Sequence, residues 1–132
     1  MSQTDPIADF LTRIRNALQA DHDAAVMPHS TFKAELARIL VEQGYVESCS
    51  VEPARVGQAL RVTLKYTEDR KPVIAGMKRV STPGRREYVG AGQVPKVQGG
   101  MGTTIVSTSR GVMTGHEARR AGVGGELVAK VW

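Results

Sequence analysis

The chain of 132 residues contains one cysteine, Cys49, so no disulfide can form within it, which fits a reducing compartment. Aromatic residues make up only 5% of it, and aliphatic side chains must therefore supply most of any core. No apolar run approaches the roughly 20 residues that a bilayer-spanning helix requires. The opening MSQTDPIADF has no basic segment followed by an apolar one, so it does not read as a secretory signal, and the expected location is the cytoplasm. His22, His29, His116 and Cys49 are scattered, with no CxxC, HxxxH or HExxH spacing, and no metal site is expected.

What the chain does have is an apolar fraction of 41%, enough for a packed core, and an excess of positive charge. Eighteen Lys and Arg against 13 Asp and Glu give a net charge of +5. That balance favours polyanionic partners, because each neutralised phosphate releases condensed counterions, but it does not select RNA over DNA.

The first half predicts an α-β-α-β-β order. In TDPIADFLTRIRNAL, Asp5 can cap a helix and Pro6 fits its first position, where a missing N–H does no harm. Ile7, Phe10, Leu11, Ile14 and Leu18 then share one face, while Asp9 and Arg13 can pair across one turn. A second helix follows Pro28, capped by Ser30 or Thr31, with Phe32, Leu36, Ile39 and Leu40 as its buried stripe and Gly44 as its stop. In ALRVTLKY, Leu60, Val62, Leu64 and Tyr66 alternate with Arg61, Thr63 and Lys65, the period of a half-buried strand. The charged TEDRKP places a domain boundary after residue 67, giving domains 1–67 and 68–132.

The second half is rich in glycine and reads as mostly β with short helices, so the fold class expected is α+β in two small domains. VIAGMKRV and REYV read as strands joined by STPGR, QVPKVQ as one turn of helix, and TTIVST and GVMT as strands. Thr114 and Glu117 form a capping box for GHEARRAG, Gly122 ends that helix, and GGELVAKVW closes as a strand.

Several motifs could carry chemistry. Ser30–Lys33 matches the Ser-x-x-Lys of acyl-serine enzymes, but its companion elements are absent and Ser30 already has a task as a cap, leaving Lys33 to point outward. GAGQVPKVQGGMG and GVGGE give neither phosphate-loop pattern, and tight turns explain them better. Glu126 is the only acid in a strand-like segment, and a buried carboxylate there would need hydrogen-bond donors. Lys78, Arg79, Arg85 and Arg86 cluster before Tyr88, which fits RNA binding, with charge for phosphates and a ring for unstacked bases, and equally fits a solvated turn with a core tyrosine. Finally, STSRGVMT crowds four hydroxyls around Arg110 and Gly111. A turn that satisfies its own backbone would use one or two of them, and the others can reach base edges, 2′-hydroxyls or phosphates.

With DPIADFLTRIRNA, RVSTPGRREY, VSTSRGVMT and ARRAGVGGE in this order, the chain resembles the family of the eighth protein of the small ribosomal subunit, in its bacterial form, along its whole length. The resemblance implies a two-domain α/β protein that binds the central domain of 16S rRNA early in assembly and has no catalytic residues or cofactor. Its partners would be that RNA and neighbouring small-subunit proteins, with no membrane or small-molecule substrate, and off the ribosome it would be a monomer. In that family the Ser-Thr-Ser loop lies against an irregular RNA segment, so Ser107, Thr108, Ser109, Arg110 and Gly111 are the expected RNA contacts. Tyr88 and Arg86 are expected near the RNA, Glu126 is expected to brace the hydroxyl loop, and Ser30 and Lys33 are expected to add phosphate contacts. One departure is the acidic ADHDAAV, where relatives are often neutral or basic, and no phosphate contact is carried over to it. A hydrolase using Ser30 or the loop hydroxyls lacks a general base, and a DNA-binding regulator is the remaining alternative.

Overall fold

The computed structural model describes residues 5–95 and 102–132 and has the α+β architecture expected. Its contacts divide the chain into Ala8–Ala75 and a second unit made of the segment before Ala8 with Gly76–Trp132.

In the first unit the order is α1 (Pro6–Gln19, begun by the preceding segment), β1 (Ala24–Pro28), α2 (Thr31–Glu42), β2 (Val46–Pro53) and β3 (Gln58–Leu64). Asp5 accepts the Ile7 N–H at 3.1 Å, the capping that the Asp-Pro start predicts. The strands form an antiparallel sheet, β1-β3-β2. Leu60, Val62 and Leu64 of β3 are buried with Phe10, Leu11 and Ile14 of α1 and Leu36, Ile39 and Leu40 of α2, so the two periodicities meet in one core. Residues 67–72 belong to this unit by their hydrogen bonds. Thr67 takes the Lys71 carbonyl, Tyr66 bridges Pro72, and the Val73 N–H reaches the Lys65 carbonyl. The break between units therefore falls at 75/76, eight residues beyond the position that the charge run suggested.

The second unit holds β4 (Met77–Arg79), β5 (Tyr88–Val89), β6 (Thr103–Thr108), β7 (Gly111–Thr114), α3 (Gly115–Ala121) and β8 (Gly125–Val131). β8 is central, in the order β4-β8-β6-β7, with the short β5 pairing the same edge of β8 as β4. The strand expected over VIAGMKRV is confined to Met77–Arg79, because Val73 is already bonded to the end of β3. Gln93–Pro95 is irregular, and the rest of the helical turn expected at QVPKVQ lies outside the described residues. Thr114 and Glu117 complete the capping box, and Gly122 ends α3 with φ +69°. Val106 and Leu127 pack with Val94, Val80 and Val89 on one face of the sheet. No helix among the described residues is long and apolar enough to cross a membrane.

Candidate nucleic-acid interface

β6 passes into β7 through Ser109 and Arg110, with Thr108 opposite Gly111. The positive φ this turn requires falls on Gly111, at +115°, where a side chain would be strained. The Thr108 hydroxyl donates to the Gly111 carbonyl at 2.9 Å and accepts the Arg110 N–H at 3.0 Å. It therefore closes the turn. The Ser107 and Ser109 hydroxyls make no hydrogen bond to another described residue, and Arg110 is exposed. Of the four hydroxyls, Thr108 and Thr114 are engaged within the protein, and Ser107 and Ser109 have no hydrogen-bond partner among the described residues.

The register explains why these two serines meet the aromatic residue. Ser107 stands opposite Glu126, and Glu126 stands opposite Tyr88, so the three side chains share one face across β6, β8 and β5. Val106 and Leu127, one residue on, point to the opposite face and are buried. Tyr88 is 70% exposed, which rules out a core tyrosine. The strands approach closely here because of the Gly-Gly pair. A Cβ on Gly124 would collide with the Val89 carbonyl, and one on Gly125 with the Ser107 carbonyl. The glycines of GVGGE thus serve strand packing.

Glu126 does not brace the hydroxyl loop. Its carboxylate accepts a short hydrogen bond from the Ser81 hydroxyl and another from Arg86 Nη1 at 2.9 Å. Ser81 is fully buried, and its oxygen also accepts the Glu87 N–H at 3.1 Å. Together these bonds close the neck of the Thr82–Arg85 excursion, whose ends pair with each other through Thr82 and Arg85. Burial alone would raise the Glu126 pKa, but the Ser81 hydroxyl and Arg86 guanidinium outweigh it and hold the carboxyl below its usual range. Ser81 escaped the reading of the sequence because a serine before Pro-Gly signals only a turn. Its partner lies 45 positions away, and nothing local marks it.

The basic block is also divided by the fold. Lys78, Arg85 and Arg86 are exposed, whereas Arg79 turns inward, bonding Asp5 and the Val128 carbonyl. On α3, Arg119 donates to the Val94 carbonyl at 2.8 Å, and Arg120 is exposed.

Ser30 and Lys33 belong to the first unit. Ser30 caps α2 by accepting the Lys33 N–H at 3.1 Å. Lys33 does not point outward: it is 7% exposed, with its Nζ 3.2 Å from Asp9 and 3.4 Å from the Pro28 carbonyl. The reason is its position one turn before Leu36 and Ala37, on the buried side of α2. Burial pushes the Asp9 carboxyl up, yet Lys33 and Arg13 together hold it below its usual value. Both aspartates of the acidic ADHDAAV loop are paired within the same unit. Arg70 bonds Asp21 at 2.9 Å and Asp23 at 2.8 Å and stacks over Tyr66, whose hydroxyl donates to the His22 carbonyl.

The second unit thus carries an exposed ring, two hydroxyls without a partner among the described residues and the exposed cations Lys78, Arg85, Arg86, Arg110 and Arg120, on a sheet with one apolar face. In a comparison with known families, the family model described as Ribosomal protein S8 matches residues 5–132.

Proposed function

The chain belongs to the ribosomal protein S8 family, whose members are rRNA-binding constituents of the small ribosomal subunit, and from that premise we propose that it binds the central domain of 16S rRNA directly and helps that domain assemble. The observation that supports this reading is the row Tyr88–Glu126–Ser107, extended by Ser109 at the hairpin tip. Tyr88 offers a ring on which an unstacked base can lie. Ser107 and Ser109 can donate to and accept from base edges and 2′-hydroxyls. Arg110 and Arg85 supply charge for phosphates, and Arg86 does so while anchored on Glu126.

Such a face suits irregular RNA, since the major groove of an A-form helix is too narrow to admit side chains. Ser30 and Lys33 act in this scheme as parts of the first unit's framework, and neighbouring small-subunit proteins complete the set of partners. The protein acts as a structural constituent, without a catalytic step.

Filter binding of Ser109→Ala over a salt series tests the reading. The variant should lose about 1–3 kcal/mol on a hairpin from the 16S central domain, with nearly unchanged salt slope. Equal losses on an unrelated hairpin would sink the assignment of the serines to specific recognition.

A further inference from the structure

β8 does not keep one register along β6. Ile105 faces Ala129, yet Val106 faces Leu127, so Val128 is an extra residue in the ladder. Side chains alternate with period two, and one extra residue re-aims everything beyond it. Without the bulge, Leu127 would stand opposite Ser107 and Glu126 opposite Thr108. The bulge therefore decides that an acid, rather than a leucine, stands opposite Ser107.

A bulge takes backbone groups out of the regular ladder, and buried ones need other partners. The Val128 carbonyl, on a residue with no exposed surface, receives the Val80 N–H at 3.1 Å and Arg79 Nη1 at 2.7 Å. Arg79 lies on β4 opposite Ala129, immediately beside the extra residue. Its Nε is held by Asp5 at 3.2 Å, and its side chain is only 12% exposed. Asp5 is fixed in turn by the Ile7 N–H at the start of α1. A cation this enclosed is poorly placed to meet a phosphate, and its short bond to a carbonyl is of the stronger, charge-assisted kind.

We propose that Arg79, oriented by Asp5, is a positioning residue for the RNA-reading face: it pins the Val128 carbonyl, holds the β8 bulge in place and so keeps Glu126 opposite Ser107. The consequence for RNA rests on the function proposed above, whereas the pin itself does not.

The test uses the full chain with Arg79→Met, which keeps an apolar stem and removes the donors, and Asp5→Asn, which frees Arg79 with less disturbance. Cross-strand NMR contacts between Ser107 and Glu126 report the register without RNA. Filter binding to the central-domain hairpin and to an unrelated hairpin reports recognition. In Arg79→Met the Ser107–Glu126 contacts should disappear, and cognate affinity should fall roughly tenfold or more, the equivalent of a lost charged hydrogen bond, at unchanged salt slope. Asp5→Asn should move both readouts in the same direction by less, and it carries the test if Arg79→Met does not fold. Intact Ser107–Glu126 contacts in the folded variants would overturn the pin, as would a salt slope flattened by about one unit, the mark of a direct phosphate contact. Lost contacts with unchanged cognate affinity would leave the pin standing and overturn the RNA reading of this face.

Discussion

Ser30–Lys33 and Ser107–Arg110 use the same chemistry, hydroxyls beside a cation, and the fold treats them in opposite ways. At the start of α2 the Ser30 hydroxyl is taken by the helix N-terminus and Lys33 is drawn inward to Asp9. At the β6–β7 turn only Thr108 is taken, and Ser107, Ser109 and Arg110 remain outward. The difference lies in the number of orphan backbone groups each element leaves. A helix start leaves several unpaired N–H groups and uses a nearby hydroxyl for one of them, whereas a two-residue hairpin needs a single closing contact. Residue type alone therefore does not mark a binding site; the local demand for hydrogen bonds decides what is left over.

The contrast can be broken most severely at Gly125. Gly125→Ala would drive a Cβ into the Ser107 carbonyl, separating β8 from β6 beneath the turn. A loss of about 3 kcal/mol is expected in urea denaturation, with RNA binding lost along with it. A variant as stable as the parent would show that the close approach is not required.

Thr108→Val sharpens the comparison within the turn. It keeps the shape and removes the hydroxyl that closes the hairpin, so it should cost about 1 kcal/mol of stability. Ser109→Ala should stay within about 0.5 kcal/mol of the parent in the same denaturation. Should the two rank the other way, the division of hydroxyls between turn and ligand is wrong.

Lys33→Met tests the opposite pole. Asp9 is 43% exposed and solvent screens the pair, so the stability loss should be about 1 kcal/mol. The salt slope of RNA binding should not change, because Lys33 is engaged inside the first unit. A slope flattened by about one unit would instead place Lys33 at a phosphate.

The smallest effect is on pH dependence. Asp9 and Glu126 both have lowered pKa values in the folded protein, so the unfolded chain binds their protons first as pH falls. Their contributions are complete above the ordinary values of 3.8 and 4.5 and are lost as pH falls through the lower folded values. Glu126→Gln should therefore flatten the acid side of the stability curve below pH 4.5, as measured by thermal melts. A curve as steep as the parent's would remove Glu126 from that account.

Much of the fold was legible because its signals are local. The Asp5-Pro6 start, the alternation in β3, and the Thr114–Glu117 box each lie within a few residues, and each forms as its pattern predicts. The block around Tyr88 was legible as basic, but neither the exposure of Tyr88 nor the inward turn of Arg79 was legible. Asp5, its partner, is 74 positions away. Lys33 was misread because a long cation suggests solvent, while its place on α2 puts it toward the core.

The sequence by itself determined the elements, the caps, the glycine that turns the hairpin and the excess of cations. Only the tertiary structure decided which hydroxyls and cations are left outward, because that depends on partners brought together from distant segments. The row of Tyr88, Glu126 and Ser107 spans three strands and depends on one bulge at Val128. Register is a property of strand pairs, set by packing and by distant hydrogen bonds, and no single strand carries it.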